Sequence, residues 1–252
     1  FSSRRRHTRY ISVTGVQTCA LPIWNMYVTG SGSEEYNMNL LADALVPYLL
    51  SNGIQYQRNR PEMTAGSSIR EANQGEYDLY LALHSNAAPE GRYGEERGII
   101  AFYYPGSVGG QRAAELIAQE LRKIYPLPNK VTTRPTTSLG EVRQPRFPSV
   151  LLEIGYHDNY SDATWLEGHW DAIAQQIARG LTEYFGLPFI YPMALILRVI
   201  NKDNTVLTGC KIKLRVIIKL SDTVVPSDIQ FETVIFSLTQ IHLWESNTAI
   251  SP

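Results

Sequence analysis

The sequence predicts an α/β layer protein, with a small β-rich segment behind it. Two observations carry that reading. Apolar runs of strand length alternate with stretches of helical spacing over roughly 160 residues, from about Tyr27 to Phe185. From Pro188 the texture changes: Ile, Val, Leu and Thr dominate, and Gly209 is the only glycine after Gly186. The chain has 252 residues, 44% of them hydrophobic, which is enough apolar matter for a core and excludes disorder. No stretch approaches the ~18 apolar residues of a membrane span.

The elements follow in order. Ser33-Glu34-Glu35 opens a helix in which Met38, Leu41, Leu45 and Leu49 recur at helical spacing, with Ser33 as cap and acids in the first turn. Asn52-Gly53 ends it, and Pro47 is a candidate kink. Ile54 to Arg58 is a short strand, and Ser68 to Gln74 a short helix. Tyr77 to His84 is a strand ending on a polar residue. Pro89 to Gly98 is a Gly-rich loop, Ile99 to Tyr104 a strand and Gly110 to Tyr125 an amphipathic helix. Pro126 to Arg146 is a Pro/Thr-rich loop region with a small strand at Lys130 to Thr133. Pro148 to Tyr156 is a buried strand, and Asp162 to Phe185 a long helix. Beyond it, short strands at Ile196 to Ile200, Lys211 to Leu220 and Glu232 to Leu238 suggest a small β module over 187–252, with an SH3-like module as one candidate although clear motifs for it are lacking. The scarcity of glycine there is unusual for tight β-turns, and suits an incomplete or frameshifted module equally well.

Residues 1–23 stand apart. They offer arginines ahead of a weakly apolar stretch, as an export signal does, but Thr14, Gly15, Gln17 and Thr18 interrupt the apolar part. Ser3 to Arg9 and Val13 to Ile23 instead match the translation of a common sequencing-library adapter, with Tyr10 to Ser12 in its variable index. The segment is therefore expected to be non-native, and the domain to begin at Trp24 without its natural N-terminus. This changes the charge. Four arginines and no acid lie in the segment, so 23 basic residues become 19 against 24 acidic ones, a net charge of −5 instead of −1. Neither value points to nucleic acid. Cys210 is then the one remaining cysteine, so neither an intramolecular disulfide nor a Cys-rich zinc module is expected.

Three residues stand out chemically. His84 ends one strand, Glu153 lies within another, and Glu35 opens the first long helix. In open α/β sheets ligands sit beyond the carboxyl ends of the strands, where a His and a Glu with a further carboxylate suit a metal site with a base. A strand-terminal histidine also reads as a satisfied structural residue, and Glu35 as an acid that complements the helix dipole. Glu153 is the least ordinary of the three, because between Leu152 and Ile154 an unpartnered carboxylate is costly.

Four ordered motifs, Glu35-Tyr36-Asn37-Met38-Asn39-Leu40, Arg70-Glu71-Ala72-Asn73, Tyr77 through Ala87, and Pro148-Ser149-Val150-Leu151-Leu152-Glu153-Ile154-Gly155-Tyr156, together resemble the zinc-dependent N-acetylmuramoyl-L-alanine amidases, the type 3 amidase family. The resemblance covers about Tyr27 to Phe185. It implies a twisted mixed sheet of about six strands with helices on both faces. It also implies cleavage of the amide between N-acetylmuramic acid and the L-alanine of the stem peptide. Carried across, Glu35 is the zinc glutamate, His84 the second zinc histidine and Glu153 the catalytic base; Asn86 matches an asparagine that holds the loop or contacts substrate. The family's first zinc histidine has no counterpart between Trp24 and Glu35, and His7 is discounted with its segment. His157, four residues past Glu153, is a possible ligand only if the chain turns after Gly155, and otherwise supports the site or faces substrate.

The resemblance implies Zn2+ as cofactor, peptidoglycan as partner and secretion or the cell wall as location; charge and composition add no nucleic acid and no membrane span, and a monomer is expected. The missing histidine motivates the alternative of a non-catalytic peptidoglycan-binding module on the same fold. Another metal-dependent peptide hydrolase is a third option.

Overall fold

The structure, a computed structural model, describes residues 9–15, 26–60 and 63–192, with side chains from Met26 onward. Thirteen short elements alternate along it. The strands are β1 (Arg9–Gly15), β2 (Ile54–Arg58), β3 (Leu79–Asn86), β4 (Ile99–Tyr103), β5 (Val131–Pro135) and β6 (Ser149–Tyr156). The helices are α1 (Glu34–Ser51), α2 (Ala65–Ala72), α3 (Val108–Leu121), α4 (Gly140–Arg143), α5 (Tyr160–Glu167) and α6 (Trp170–Phe185), with a 3-10 turn at Pro128–Lys130 before β5.

The six strands form one mixed sheet in the order β2-β1-β3-β6-β4-β5, and β4 runs antiparallel to β6 while the other neighbours are parallel. Period-two alternation decides what each face meets. Leu79, Leu81 and Leu83 of β3, with Val150, Leu152 and Ile154 of β6, join the larger core under α1, α3, α5 and α6. Tyr80 and Ala82 of β3 and Leu151 of β6 join Ile69 and Ala72 of α2 and Val142 of α4 in a smaller core on the other face. Helices thus cover both faces, which explains why β3 and β6 are nearly continuous apolar runs.

β1 lies between β2 and β3, pairing Arg9 with Ile54 and Ile11 with Leu79. Residues set apart in the sequence reading therefore form a strand of the sheet, and the span from Trp24 onward does not contain all of it. The physical reason is the slot itself: β2 and β3 both present backbone donors and acceptors there, and Tyr10-Ile11-Ser12-Val13-Thr14 is a β-prone run that can satisfy them.

Other boundaries move for local reasons. The helix expected from Ser68 begins at Ala65, because Thr64 and Ser67 form a reciprocal cap. α3 starts at Val108, where the Ser107 side chain accepts the Gly110 amide. The long helix expected from Asp162 to Phe185 is two helices, broken at Gly168 and His169. α1 is continuous through Pro47 and ends at Asn52, with Gly53 at φ +68°.

Of the expected C-terminal module, only 187–192 falls within the described residues, and the three further strands lie outside them. Phe189 stacks on Tyr48, Arg179 lies over the Phe189 ring at 4.0 Å, and Asn52 clasps Ile190 through both its backbone groups.

Candidate active site

The site is assembled at the carboxyl ends of β3 and β6. These strands run parallel with His84 paired to Glu153, and alternation puts both on the face of Tyr80, Ala82 and Leu151. The first turn of α1 delivers a carboxylate to the same place. Ser33 caps that turn by accepting the Tyr36 amide at 3.2 Å, and Glu34 is buried at 4% exposure.

His84 stands between two carboxylates. Its Nδ1 is 3.2 Å from Glu34 Oε1 and its Nε2 is 2.7 Å from Glu141 Oε2. Glu34 Oε1 also accepts the Ser85 amide at 3.0 Å, and Glu141 Oε1 accepts the Tyr80 hydroxyl at 3.2 Å. Burial opposes a charge on the imidazole, but the hydrogen bonds it donates to Glu141 and Glu34 outweigh that and hold the His84 pKa well above its ordinary value. Glu153 Oε2 is enclosed and has no hydrogen-bond partner. Burial pushes the Glu153 carboxyl up to about 7; His84 opposes that rise, and Glu34 and Glu141 add to it.

The structure brings His84 and Glu153 together as expected, but the α1 carboxylate at His84 is Glu34. Glu35 is one position, about 100° of helix rotation, further on, is only half-buried, and makes none of the contacts to His84. Asn86 turns inward on its own loop: its Oδ1 accepts the Ala87 amide at 2.9 Å, and its carbonyl accepts the His157 amide at 2.8 Å. The chain does turn after Gly155, which sits at φ +70°, and it carries His157 back to β3. There His157 is 2% exposed, with Nδ1 3.0 Å from both the hydroxyl and the carbonyl of Ser85 and its ring stacked on Tyr27. It has no surface through which to face a substrate, and it touches the residue whose amide holds Glu34. His169 caps no site either; it stacks on Trp165 at the α5–α6 break.

Sequence reasoning missed Glu141, which arrives on the four-residue α4 inside the Pro/Thr-rich region. It also missed Asp162. That carboxylate is wholly buried and accepts from Arg97 Nε, the Gly98 amide, the Tyr125 hydroxyl and the Tyr156 amide, so it ties the loop before β4 to the end of β6. Asp158 does the same for the outer loop through the Ala88 and Gly94 amides.

Chemically, the cluster offers an imidazole nitrogen and a carboxylate oxygen side by side, with a second, unpartnered carboxylate next to them. That set fits a divalent cation of borderline softness as two of its ligands. Among the described residues no three His, Cys, Asp or Glu side chains are grouped so as to hold a metal. No helix among the described residues is long and apolar enough to cross a membrane.

The N-acetylmuramoyl-L-alanine amidase family matches residues 27–183. The germination-specific N-acetylmuramoyl-L-alanine amidase of Bacillus subtilis is 31% identical over 140 residues, 50% of this chain and 56% of that protein, so the chain spans little more than half of that relative's length. Among solved structures, the amidase AmiC2 of Nostoc punctiforme aligns with a TM-score of 0.61 at 18% identity, over 71% of this chain and 98% of that one. The CwlD amidase of Clostridioides difficile, solved with the GerS lipoprotein, aligns with a TM-score of 0.60 at 18% identity over 71% and 98%. The fold is theirs, and the chain belongs to the N-acetylmuramoyl-L-alanine amidase family.

Proposed function

We propose that this chain is a peptidoglycan hydrolase that cleaves the amide between N-acetylmuramic acid and the L-alanine of the stem peptide, with zinc as its cofactor. The observation that carries the reading is the spacing of Glu34 Oε1 and His84 Nδ1, 3.2 Å, beside the enclosed, unpartnered Glu153 Oε2. His84 and Glu34 would hold the ion, and Glu34 takes the place assigned to Glu35 from the sequence. When bound, zinc polarises the scissile carbonyl and lowers the pKa of water. Glu153 accepts the proton of the attacking water and returns it to the leaving amine of L-alanine. A carboxyl pKa lifted toward neutrality suits both halves of that exchange.

The substrate lies outside the cytoplasm, so the protein acts in the cell wall or after secretion, as an autolysin-type enzyme. In the same reading residues 1–23 are not native, the catalytic domain runs over 24–186, and a natural first strand ends in the third ligand, a histidine. The genomic sequence upstream of Trp24 tests that part directly.

The test of activity, made on the chain carrying its natural first strand, is release of free L-alanine amino groups from purified cell walls, with zinc content measured on the same preparation. Near-stoichiometric zinc and release that falls about 10²-fold or more in Glu153→Gln are expected. Wall binding without release would overturn the hydrolase reading in favour of a binding module on the same fold.

A further inference from the structure

Glu141 belongs to no motif quoted from the sequence, yet it makes the shorter of the two contacts to His84. Two ligands on one tetrahedral zinc, each about 2.0–2.2 Å from the ion, lie roughly 3.3–3.5 Å apart. The Glu34 Oε1–His84 Nδ1 spacing of 3.2 Å is close to that, whereas the Glu141 Oε2–His84 Nε2 spacing of 2.7 Å is a charge-assisted hydrogen bond and too close for two ligands of one ion. The two nitrogens of one ring therefore have different tasks.

We propose that Glu141 is a positioning residue: its carboxylate accepts the Nε2–H of His84, fixes that tautomer, and leaves the Nδ1 lone pair directed to the side of Glu34. The proposal deepens the zinc reading above and rests on it. Glu141 is itself fixed. Its side chain is 9% exposed, the hydroxyl of the fully buried Tyr80 donates to its other oxygen, and the next residue, Val142, is buried with its carbonyl held by the Ser149 hydroxyl at 2.8 Å. Asn73 of the α2 cap, bonded to the Gln144 carbonyl and the Arg146 amide, closes the same turn. A four-residue helix held at so many points serves to deliver one carboxylate. Metal-bound histidines as a class use such a partner on the far nitrogen, and losing it costs about 10–100-fold in metal affinity.

The test measures zinc affinity by competition with a chromogenic chelator for the parent chain carrying its natural first strand, and for its Glu141→Ala and Glu141→Gln variants. It also records long-range 15N–1H correlation spectra of the zinc-loaded, 15N-histidine-labelled proteins, with the His84 signals assigned by their loss in His84→Ala. In the parent, the expected spectrum has the proton on Nε2 and the metal-shifted resonance at Nδ1. Glu141→Ala binds zinc about 10–100-fold more weakly. Glu141→Gln, whose amide oxygen still accepts from Nε2–H, stays within about tenfold of the parent and keeps the tautomer; it also carries the test if the alanine variant does not fold. Metal bound through Nε2, or parent-like affinity in Glu141→Ala with the fold intact, overturns the proposal alone. A parent chain that takes up no zinc overturns the zinc reading, and the proposal with it.

Discussion

His84 and Glu153 are register partners on the neighbouring parallel strands β3 and β6, and each reaches the same side of the sheet. Neighbouring strands are under 5 Å apart, so an ionised Glu153 sits in a poorly solvated place, also flanked by Glu34 and Glu141. The pairing places a second carboxylate beside the His84–Glu34 pair by backbone geometry.

That environment has a consequence for stability. With its pKa raised from 4.5 to about 7, folded Glu153 holds a proton that the unfolded chain has already released between those values. The native state binds more protons in that window, so stability falls as pH rises through it. In chelator, Glu153→Gln removes this contribution to the fall. The variant should melt several degrees above the parent at pH 8, an advantage of about 3 kcal/mol at most, and close to the parent near pH 4.5. A gap that is the same at both pH values would mean that ionisation of Glu153 is not its cause.

The rotation of α1 gives a second test. Glu34→Gln should weaken zinc binding by at least about tenfold, and Glu35→Gln should leave it nearly unchanged. Isothermal titration of both variants is sufficient. Equal losses, or a larger loss in Glu35→Gln, would restore Glu35 to the site.

The choice between these two acids was in fact legible. Stepping back from Leu41 and Met38 along the apolar face by seven and four residues reaches Glu34, and the buried positions of α1 include Glu34, Asn37, Met38 and Leu41. Matching Glu35 to a motif passed over that periodicity. Glu153 was legible because a carboxylate inside an apolar strand is expensive, and His84 because a strand ended on it. Glu141 was not legible: four helical residues are too few for a periodic pattern, and the Pro/Thr-rich surroundings read as loop. The break between α5 and α6 was also hidden, since Gly168-His169 interrupts an otherwise helical composition by a single glycine. The Asp162 hub depends on three donors from residues 97, 98 and 125, and no local pattern reports a contact of that range.

Asp162→Ala should be among the most damaging substitutions away from the site. It leaves Arg97, the Gly98 and Tyr156 amides and the Tyr125 hydroxyl without their shared acceptor in a buried setting. A loss of about 3–5 kcal/mol is expected in denaturant unfolding. A loss below about 1 kcal/mol would mean that water or another acceptor takes over, and that the loop before β4 does not depend on this carboxylate.

Gly180, in the middle of α6, sets local preference against packing. Helix propensity alone favours alanine there by about 0.5–1 kcal/mol. A Cβ at Gly180, however, would stand 2.7 Å from Ile117 Cα and 2.9 Å from Ile117 N, both backbone atoms of α3. No rotamer change relieves that overlap; the two helices must separate, and the larger core beneath them with it. Overpacking of this kind costs about 1–3 kcal/mol, more than the propensity gain at the upper end. Gly180→Ala should therefore lower the urea midpoint with an unchanged slope, while a control at an exposed glycine outside the helices, Gly91, where a Cβ meets nothing within 4 Å, suffers only its φ +84° strain. A midpoint that rises in Gly180→Ala would mean that α3 and α6 do not approach as closely as their backbones do here.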